Sequence, residues 1–303
     1  MTVDEIKTVL IIGSGTMGQQ IGFTCALHGY SVMVYDLSNE LLDNAEKMIE
    51  RLSRGFVNSG RVTAEEAAAA LARMKYSAIA EEAAAEADIV SESVPEDPEL
   101  KGRVFGQFNK LCPEHTIFTT NTSSLLPSMF AEATGRPEKL VALHFHDVRI
   151  TNVVDVMPHP GTSDETFEVV RDFAHRIGQA PIVLKREHNG YVFNYMLMEW
   201  TNSALRLASK NVASVEDIDR AWMGVLHVPM GPFAIMDSVG LGTVWTVADY
   251  WAKRTDNPGA KANADFVKQY VDRGDLGQKT GRGFYDYPGP AYSKPGFLSG
   301  KDE

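Results

Sequence analysis

The chain has 303 residues, 44% of them hydrophobic and 23% charged, which is enough for two domains of ordinary size with buried cores. Its formal net charge of −11 argues against binding to nucleic acid or to an anionic membrane surface. The two cysteines, Cys25 and Cys112, fit no metal or redox spacing, and the first residues show no targeting pattern. We therefore expect a soluble protein of the reducing cytoplasm.

The first 40 residues have the pattern of a dinucleotide site. A strand over 9–12 leads into six residues that fit the glycine fingerprint, namely Gly13, Ser14, Gly15, Thr16, Met17 and Gly18. In this fingerprint the first glycine permits a tight turn, the second lets the backbone approach a pyrophosphate, and the third lets the next helix pack on the sheet. The N–H groups at the start of that helix hold the phosphates.

The second strand, over 32–35, delivers an acid at the distance that such a site requires. Asp36 stands 18 residues after Gly18, where a carboxylate accepts hydrogen bonds from the adenosine ribose hydroxyls. The next three residues include no arginine for a 2′-phosphate. Glycine turns also occur without a ligand, but the strand, the helix and the acid together predict NAD as the cofactor.

Strands and helices continue to alternate up to about residue 187, which predicts a doubly wound, parallel Rossmann-type sheet with helices on both faces. A capping box at Thr63–Glu66 opens one helix, and Asp97 and Pro98 open another. The later strands are predicted over 87–91, 117–120, 140–143, 153–156 and 181–184.

The pattern changes after residue 187, because strand signals disappear and long stretches with helical spacing follow. These stretches cover 192–208, 215–223, 239–252 and 261–273, with a break at Pro229–Pro232. The sequence therefore predicts an NAD-binding α/β domain over 1–187 and an all-helical domain over 188–303.

Among the eight histidines, His144 is the best candidate for acid–base chemistry. An enzyme that passes a hydride from an alcohol to NAD needs a base for the hydroxyl proton, and histidine titrates near neutral pH. His144 directly follows the strand over 140–143, at the edge where open α/β sheets bind ligands. His146 would share its face on an extended chain, and the two could bind a metal. No further cluster of ligands accompanies them in the sequence, so we expect no metal.

Six blocks of the chain resemble the 3-hydroxyacyl-CoA dehydrogenases of the L-3-hydroxy class. They are Ile12–Gly18, Asn121–Leu125, Leu143–Phe145, Asn189–Asn194, Pro229–Phe233 and Gly277–Tyr285. The blocks extend over nearly the whole chain, and their order and spacing match those of the family. The resemblance implies a homodimer that interconverts a short-chain L-3-hydroxyacyl-CoA and the 3-oxoacyl-CoA with NAD, as in fatty-acid β-oxidation.

The resemblance also implies roles for single residues. His144 becomes the general base and Asp155 its partner, in place of the family's glutamate. Ser123 and Asn194 would hold the substrate. By the same resemblance, Glu96, Lys101 and Lys279 would contact the nicotinamide half of NAD. Arg54 and Arg61 would bind the phosphates of CoA.

The chain departs from the family pattern beside the substrate. The family follows its histidine with Phe-Asn-Pro, whereas this chain has Phe145, His146 and Asp147. Asp155 is one methylene shorter than glutamate, and the segment before it is one residue shorter, which we expect to restore its reach.

Two alternatives for the function follow from the sequence. Pro158–Pro160 and the segment over 178–181 resemble the gulonate dehydrogenase and λ-crystallin branch. A free 3-hydroxy acid of the gulonate or carnitine type is therefore an alternative substrate. A non-catalytic, crystallin-like NAD-binding protein is a further alternative, against which the presence of Ser123, His144 and Asn194 argues.

Overall fold

A computed structural model describes residues 1–300 of the chain. The chain divides into two compact units, one over residues 1–194 and the other from Tyr195 onward. In the described part of the chain, no helix combines the length and the apolar character needed to cross a membrane.

The first unit is built on one eight-stranded sheet with the order β3-β2-β1-β4-β5-β6-β7-β8. The strands are β1 (Thr8–Ile12), β2 (Ser31–Tyr35), β3 (Met74–Ser77), β4 (Ile89–Glu92), β5 (Ile117–Thr120), β6 (Leu140–Phe145), β7 (Val153–Met157) and β8 (Ala180–Val183). The helices are α1 (Thr16–Leu27), α2 (Asn39–Asn58), α3 (Ala64–Leu71), α4 (Ala80–Ala84), α5 (Pro98–Asn109) and α6 (Asp164–Arg176). The Rossmann-type architecture is confirmed.

The local start signals work as the sequence predicts. The Thr63 hydroxyl accepts the N–H of Glu66, and the Glu66 carboxylate accepts the N–H of Thr63, so the capping box opens α3. The Asp97 side chain accepts the N–H of Leu100 at the start of α5. Two buried clusters of apolar side chains hold helices onto the sheet, one centred on Ile11 and Phe23 and the other on Phe105 and Phe118.

The sheet differs from the predicted all-parallel one at its end. Strands β1 to β6 run parallel, but β7 runs antiparallel to β6, and β8 pairs parallel with β7. Only residues 146–152 connect β6 to β7. This connection is too short for a crossover helix, so β7 can pair with its neighbour only by turning back. Strand β3 is absent from the prediction because it has only four residues and lies at the edge of the sheet, where Lys75 and Tyr76 are not buried.

The second unit is helical. Its helices are α7 (Phe193–Ser209), which begins at the end of the first unit, α8 (Val215–Leu226), α9 (Pro232–Val239), α10 (Leu241–Ala252) and α11 (Pro258–Asp272). Helix α9 begins at the predicted break, because Pro232 occupies its first turn and the Asp219 carboxylate accepts the N–H groups of Phe233 and Ala234. Its core includes Leu205, Phe233, Leu241, Val267 and Tyr285.

Candidate active site

The glycine loop after β1 has the shape of a phosphate cradle. Gly13 has a φ of +97°, and a Cβ on Gly18 would lie 1.9 Å from the Gly13 carbonyl oxygen, so larger residues do not fit at either position. Gly15 is different, because beyond its own chain neighbours no atom of residues 1–300 lies within 4 Å of the place where its Cβ would stand. Gly15 is also the N-cap of α1 and offers no side chain to the first N–H groups. Open space therefore lies where those groups can meet an anion.

Asp36 lies beside this loop at the end of β2. Its Oδ2 accepts hydrogen bonds from the Ser14 N–H and the Ser14 hydroxyl, both at 2.7 Å, and its Oδ1 accepts the N–H of Leu37 at 2.7 Å. These bonds hold the carboxylate next to the glycine turn. Thr16 and Met17 continue the loop into α1, with Thr16 exposed. The loop and the acid therefore fit the pyrophosphate and the ribose of a dinucleotide.

His144 and Asp155 form a buried pair at the carboxyl end of β6. They stand directly opposite each other in the β6–β7 ladder, and His144 Nδ1 lies 3.0 Å from Asp155 Oδ2. The two residues are only 4% and 1% exposed. Burial by itself would raise the pKa of Asp155, but the hydrogen bond from His144 and the close contact with His146 outweigh it and hold the pKa below its usual value. A neutral His144 that donates from Nδ1 carries its free lone pair on Nε2.

Tyr191 connects this pair to the loop that carries Ser123. Its ring stacks on the His144 ring, with 4.8 Å between the centroids, and its hydroxyl donates to the Thr122 carbonyl oxygen at 2.7 Å. Burial raises the pKa of Tyr191, so the hydroxyl stays a donor. Asn121 adds a second connection, because its Oδ1 accepts the N–H of Phe145 at 2.7 Å. Sequence reasoning missed Tyr191, although it lies inside one of the blocks that resemble the family.

His146 lies on the other side of Asp155. Its Nε2 is 3.3 Å from the same Oδ2 that accepts from His144, but without hydrogen-bond geometry. Within residues 1–300 neither this nitrogen nor Asp155 Oδ1 has a hydrogen-bond partner, and both atoms are buried. The His146 ring contacts the rings of His144 and Phe193, at centroid distances of 4.7 and 5.5 Å. The sequence argument that no further ligand accompanies the two histidines is wrong, since Asp155 lies beside both.

Glu96, which follows β4, binds the loop over residues 121–125 that carries Ser123. Its Oε1 accepts the N–H groups of Ser123 and Ser124 at 3.0 and 3.1 Å and a short hydrogen bond from the Thr122 hydroxyl. Burial would raise the pKa of Glu96, but these donors and the Lys101 charge lower it, so the residue is an anion. Ser123 itself is exposed.

Lys101 has contacts that differ from the predicted direct contact with the cofactor. Its ammonium is buried, with Glu92 Oε1 at 2.6 Å, the Val94 carbonyl oxygen at 3.1 Å and Glu96 Oε2 at 3.3 Å. These three oxygens match the three N–H groups of the ammonium, so its influence on the site passes through Glu96. Glu92 is not singled out in the sequence analysis, although an acid at the end of an apolar strand is a recognisable sign of a buried charge.

The other predicted site residues lie further along the chain. Asn194 is half-buried in the first turn of α7, next to the Phe193 ring that contacts His146, and Lys279 is exposed in a 3₁₀ turn of the second unit. Arg54 is exposed on α2. Arg61 lies over a phenyl ring and donates to the Val148 carbonyl oxygen at 2.9 Å.

Comparisons with known proteins identify the family of this chain. The model of the 3-hydroxyacyl-CoA dehydrogenase NAD binding domain matches residues 8–187, and that of the family's C-terminal domain matches residues 190–287. The mitochondrial hydroxyacyl-coenzyme A dehydrogenase of Rattus norvegicus is 33% identical over 93% of this chain and 91% of its own length.

Two solved structures share the whole fold. A diketoreductase studied for its dual catalysis of dicarbonyl compounds is 38% identical, with a TM-score of 0.86 over 93% of this chain and 99% of its own. The (S)-3-hydroxybutyryl-CoA dehydrogenase of Ralstonia eutropha is 30% identical, with a TM-score of 0.85 over 94% of this chain and all of its own. The chain therefore belongs to the 3-hydroxyacyl-CoA dehydrogenase family.

Proposed function

We propose that this chain interconverts a short-chain L-3-hydroxyacyl-CoA and the corresponding 3-oxoacyl-CoA with NAD. The observation that carries the proposal is the buried pair of His144 and Asp155, joined at 3.0 Å. The pair lies at the carboxyl end of β6, and the glycine loop follows the carboxyl end of β1. Because β1 and β6 belong to the parallel part of the sheet, both features lie along one edge.

In oxidation, His144 Nε2 takes the proton of the substrate hydroxyl. Asp155 keeps the other ring proton on Nδ1 and stabilises the positive imidazolium that results. NAD, when bound, supplies the acceptor for the substrate hydride. In reduction, His144 returns its proton to the new alkoxide.

Ser123 and Asn194 are proposed to orient the substrate oxygen. The hydrogen bonds from the Ser123 loop to Glu96 support this role, because they hold the loop at the sheet edge while Ser123 itself stays exposed. Lys101 is proposed to act as a positioning residue that neutralises Glu96, and Glu96 and Lys279 remain candidates for contacts with the nicotinamide half of NAD.

The CoA part of the substrate is proposed to use Arg54 and Arg61. Arg54 presents a cation on α2 that is 67% exposed and lies only 3.6 Å from Glu50, a weak surface pair that an anionic phosphate can displace. Arg61 lines a cleft of about 720 Å³ together with Phe56 and Val148, a volume that suits a bound organic ligand.

The larger organisation is also a proposal. We propose a boundary near residue 187, a helical domain that takes part in substrate binding, and a homodimer formed through that domain. Exposed apolar side chains on α7 and α8, among them Met196 and Val225, support an interface in this domain. The cytoplasmic location stays a prediction.

The experiment is to follow NADH consumption with acetoacetyl-CoA, with free 3-oxo acids and with a free dicarbonyl compound. We expect turnover of the thioester that falls about 10³-fold or more in His144→Ala. The matched control is His115→Ala, because His115 forms a similar pair with Asp88 at 2.9 Å but is half exposed on the surface. Thioester turnover that survives His144→Ala rejects the general base. Activity confined to the free acids or the dicarbonyl compound rejects the CoA substrate.

A further inference from the structure

Three ligand atoms of the kind that transition metals prefer converge where His144 and Asp155 form their pair. His144, His146 and Asp155 each offer one ligand atom, and these atoms all lie within 4.8 Å of one another. Asp155 Oδ2 is the centre of the group, at 3.0 Å from His144 Nδ1 and 3.3 Å from His146 Nε2. Tetrahedral zinc with bonds of about 2.0–2.1 Å places its ligand atoms roughly 3.3 Å apart, and the two distances from Asp155 Oδ2 are close to this spacing.

Two buried atoms of this group make no hydrogen bond. His146 Nε2 and Asp155 Oδ1 are buried and have no hydrogen-bond partner among residues 1–300. Buried polar atoms normally have a hydrogen-bond partner, and an atom without one is costly to bury. A metal ion bound between the two imidazoles and the carboxylate would occupy the His146 lone pair and engage the carboxylate from both oxygens.

We propose that His144, His146 and Asp155 bind a divalent metal ion of the zinc class, and that this ion switches the general base off. Two imidazoles and one carboxylate form a three-ligand zinc set, with the fourth position left for water. The inhibitory part of this inference rests on the proposed function, whereas the metal site itself does not.

Inhibition follows from the two nitrogens of one imidazole ring. In the active state the proton of neutral His144 is on Nδ1, where it donates to Asp155, and Nε2 is free to accept. A metal ion on Nδ1 needs the lone pair of that nitrogen, so the proton moves to Nε2. Nε2 then has no lone pair for the substrate proton. The metal also occupies the carboxylate that would stabilise the imidazolium.

The test uses zinc chloride as the probe and measures binding separately from activity. Competition with a zinc-chelating dye is expected to show one zinc ion per wild-type chain, with a dissociation constant in the micromolar range or below. His146→Asn removes one of three ligands and is expected to weaken zinc binding at least tenfold, with the same shift in the concentration that inhibits acetoacetyl-CoA reduction. EDTA is expected to restore wild-type activity. The matched control is His115→Asn, which removes a histidine from the surface pair with Asp88 and is expected to change neither value.

Each outcome decides the inference. Failure of the wild type to bind zinc in this range, or equal zinc affinity in wild type and His146→Asn, overturns it. Thermal unfolding verifies that His146→Asn folds. If that variant does not fold, His146→Gln is used in its place, because it keeps a polar side chain of similar length. A wild type that binds zinc through His146 but does not turn over any CoA thioester keeps the metal site and rejects the proposed function.

Discussion

Replacement of Asp155 by glutamate, the residue that the family usually has, is expected to lower activity. Asp155 stands directly opposite His144 in the β-ladder, and its carboxylate already lies at hydrogen-bond distance, 3.0 Å from His144 Nδ1. The extra methylene of glutamate moves the carboxylate by about 1.5 Å along a side chain that is only 1% exposed. The carboxylate then has to fold back or push the imidazole towards the substrate.

The magnitude follows from these distances. An additional methylene in a packed interior costs about 1–3 kcal/mol, which lowers the melting temperature by roughly 2–10 °C for a domain of this size. A displacement of about 1 Å in a catalytic group costs on the order of 10²-fold in rate, or about 2.7 kcal/mol. Asp155→Asn is expected to lose more, about 10³–10⁴-fold, because an amide that donates to Nδ1 enforces the wrong tautomer.

The assay is steady-state reduction of acetoacetyl-CoA together with thermal unfolding of each variant. We expect the order wild type, Asp155→Glu, Asp155→Asn for kcat/KM, with the loss mainly in kcat because the partner acts on proton transfer. Activity of Asp155→Glu at or above wild type, with an unchanged melting temperature, would refute the reasoning that the β-ladder sets the length of the partner.

Four other substitutions test the cofactor loop and the buried charges. Gly15→Ala is expected to fold normally and to weaken NADH binding. Gly18→Ala is expected to lose about 3 kcal/mol of stability, because its Cβ would lie 1.9 Å from a carbonyl oxygen. NADH fluorescence titration measures the first effect and thermal unfolding the second. Lys101→Met leaves Glu92 as an unpaired buried charge and is expected to lower the free energy of unfolding in urea by about 3–5 kcal/mol. The double variant with Glu92→Met and Lys101→Met is expected to regain more than half of this loss. Burial raises the pKa of Asp219 from the ordinary 3.8 to about 6, so the folded state binds a proton more tightly than the unfolded chain does. The resulting stability is fully present below pH 3.8, is lost as pH rises through about 6 and amounts to roughly 3 kcal/mol at most. Asp219→Asn is expected to remove this pH dependence of the free energy of unfolding between about pH 4 and pH 7. Equal slopes of the free energy of unfolding against pH in both proteins would contradict this expectation.

Much of the first unit could be predicted from the sequence because its signals are local. The capping box at Thr63, the N-cap at Asp97 and the glycine fingerprint each depend on residues a few positions apart, and these elements are confirmed. The direction of β7 and the existence of α9 could not be predicted in the same way. Strand direction depends on whether a connection has room to cross over, and α9 depends on Asp219, a cap supplied by a neighbouring helix.

In the candidate site, too, the part that depends on neighbouring residues could be predicted, and the part that depends on distant residues could not. His144 was predictable because a strand ends beside it, but its surroundings depend on residues distant in sequence, such as Tyr191 and Glu92. The Glu92 carboxylate pairs with Lys101, Lys101 contacts Glu96, and Glu96 binds the loop that carries Ser123. A buried charge survives only when partners compensate it, so removal of any member takes a partner away from the next one. The sheet interior and the loop that carries Ser123 are therefore coupled through one chain of charges, and a substitution at Glu92 is expected to change the position of Ser123.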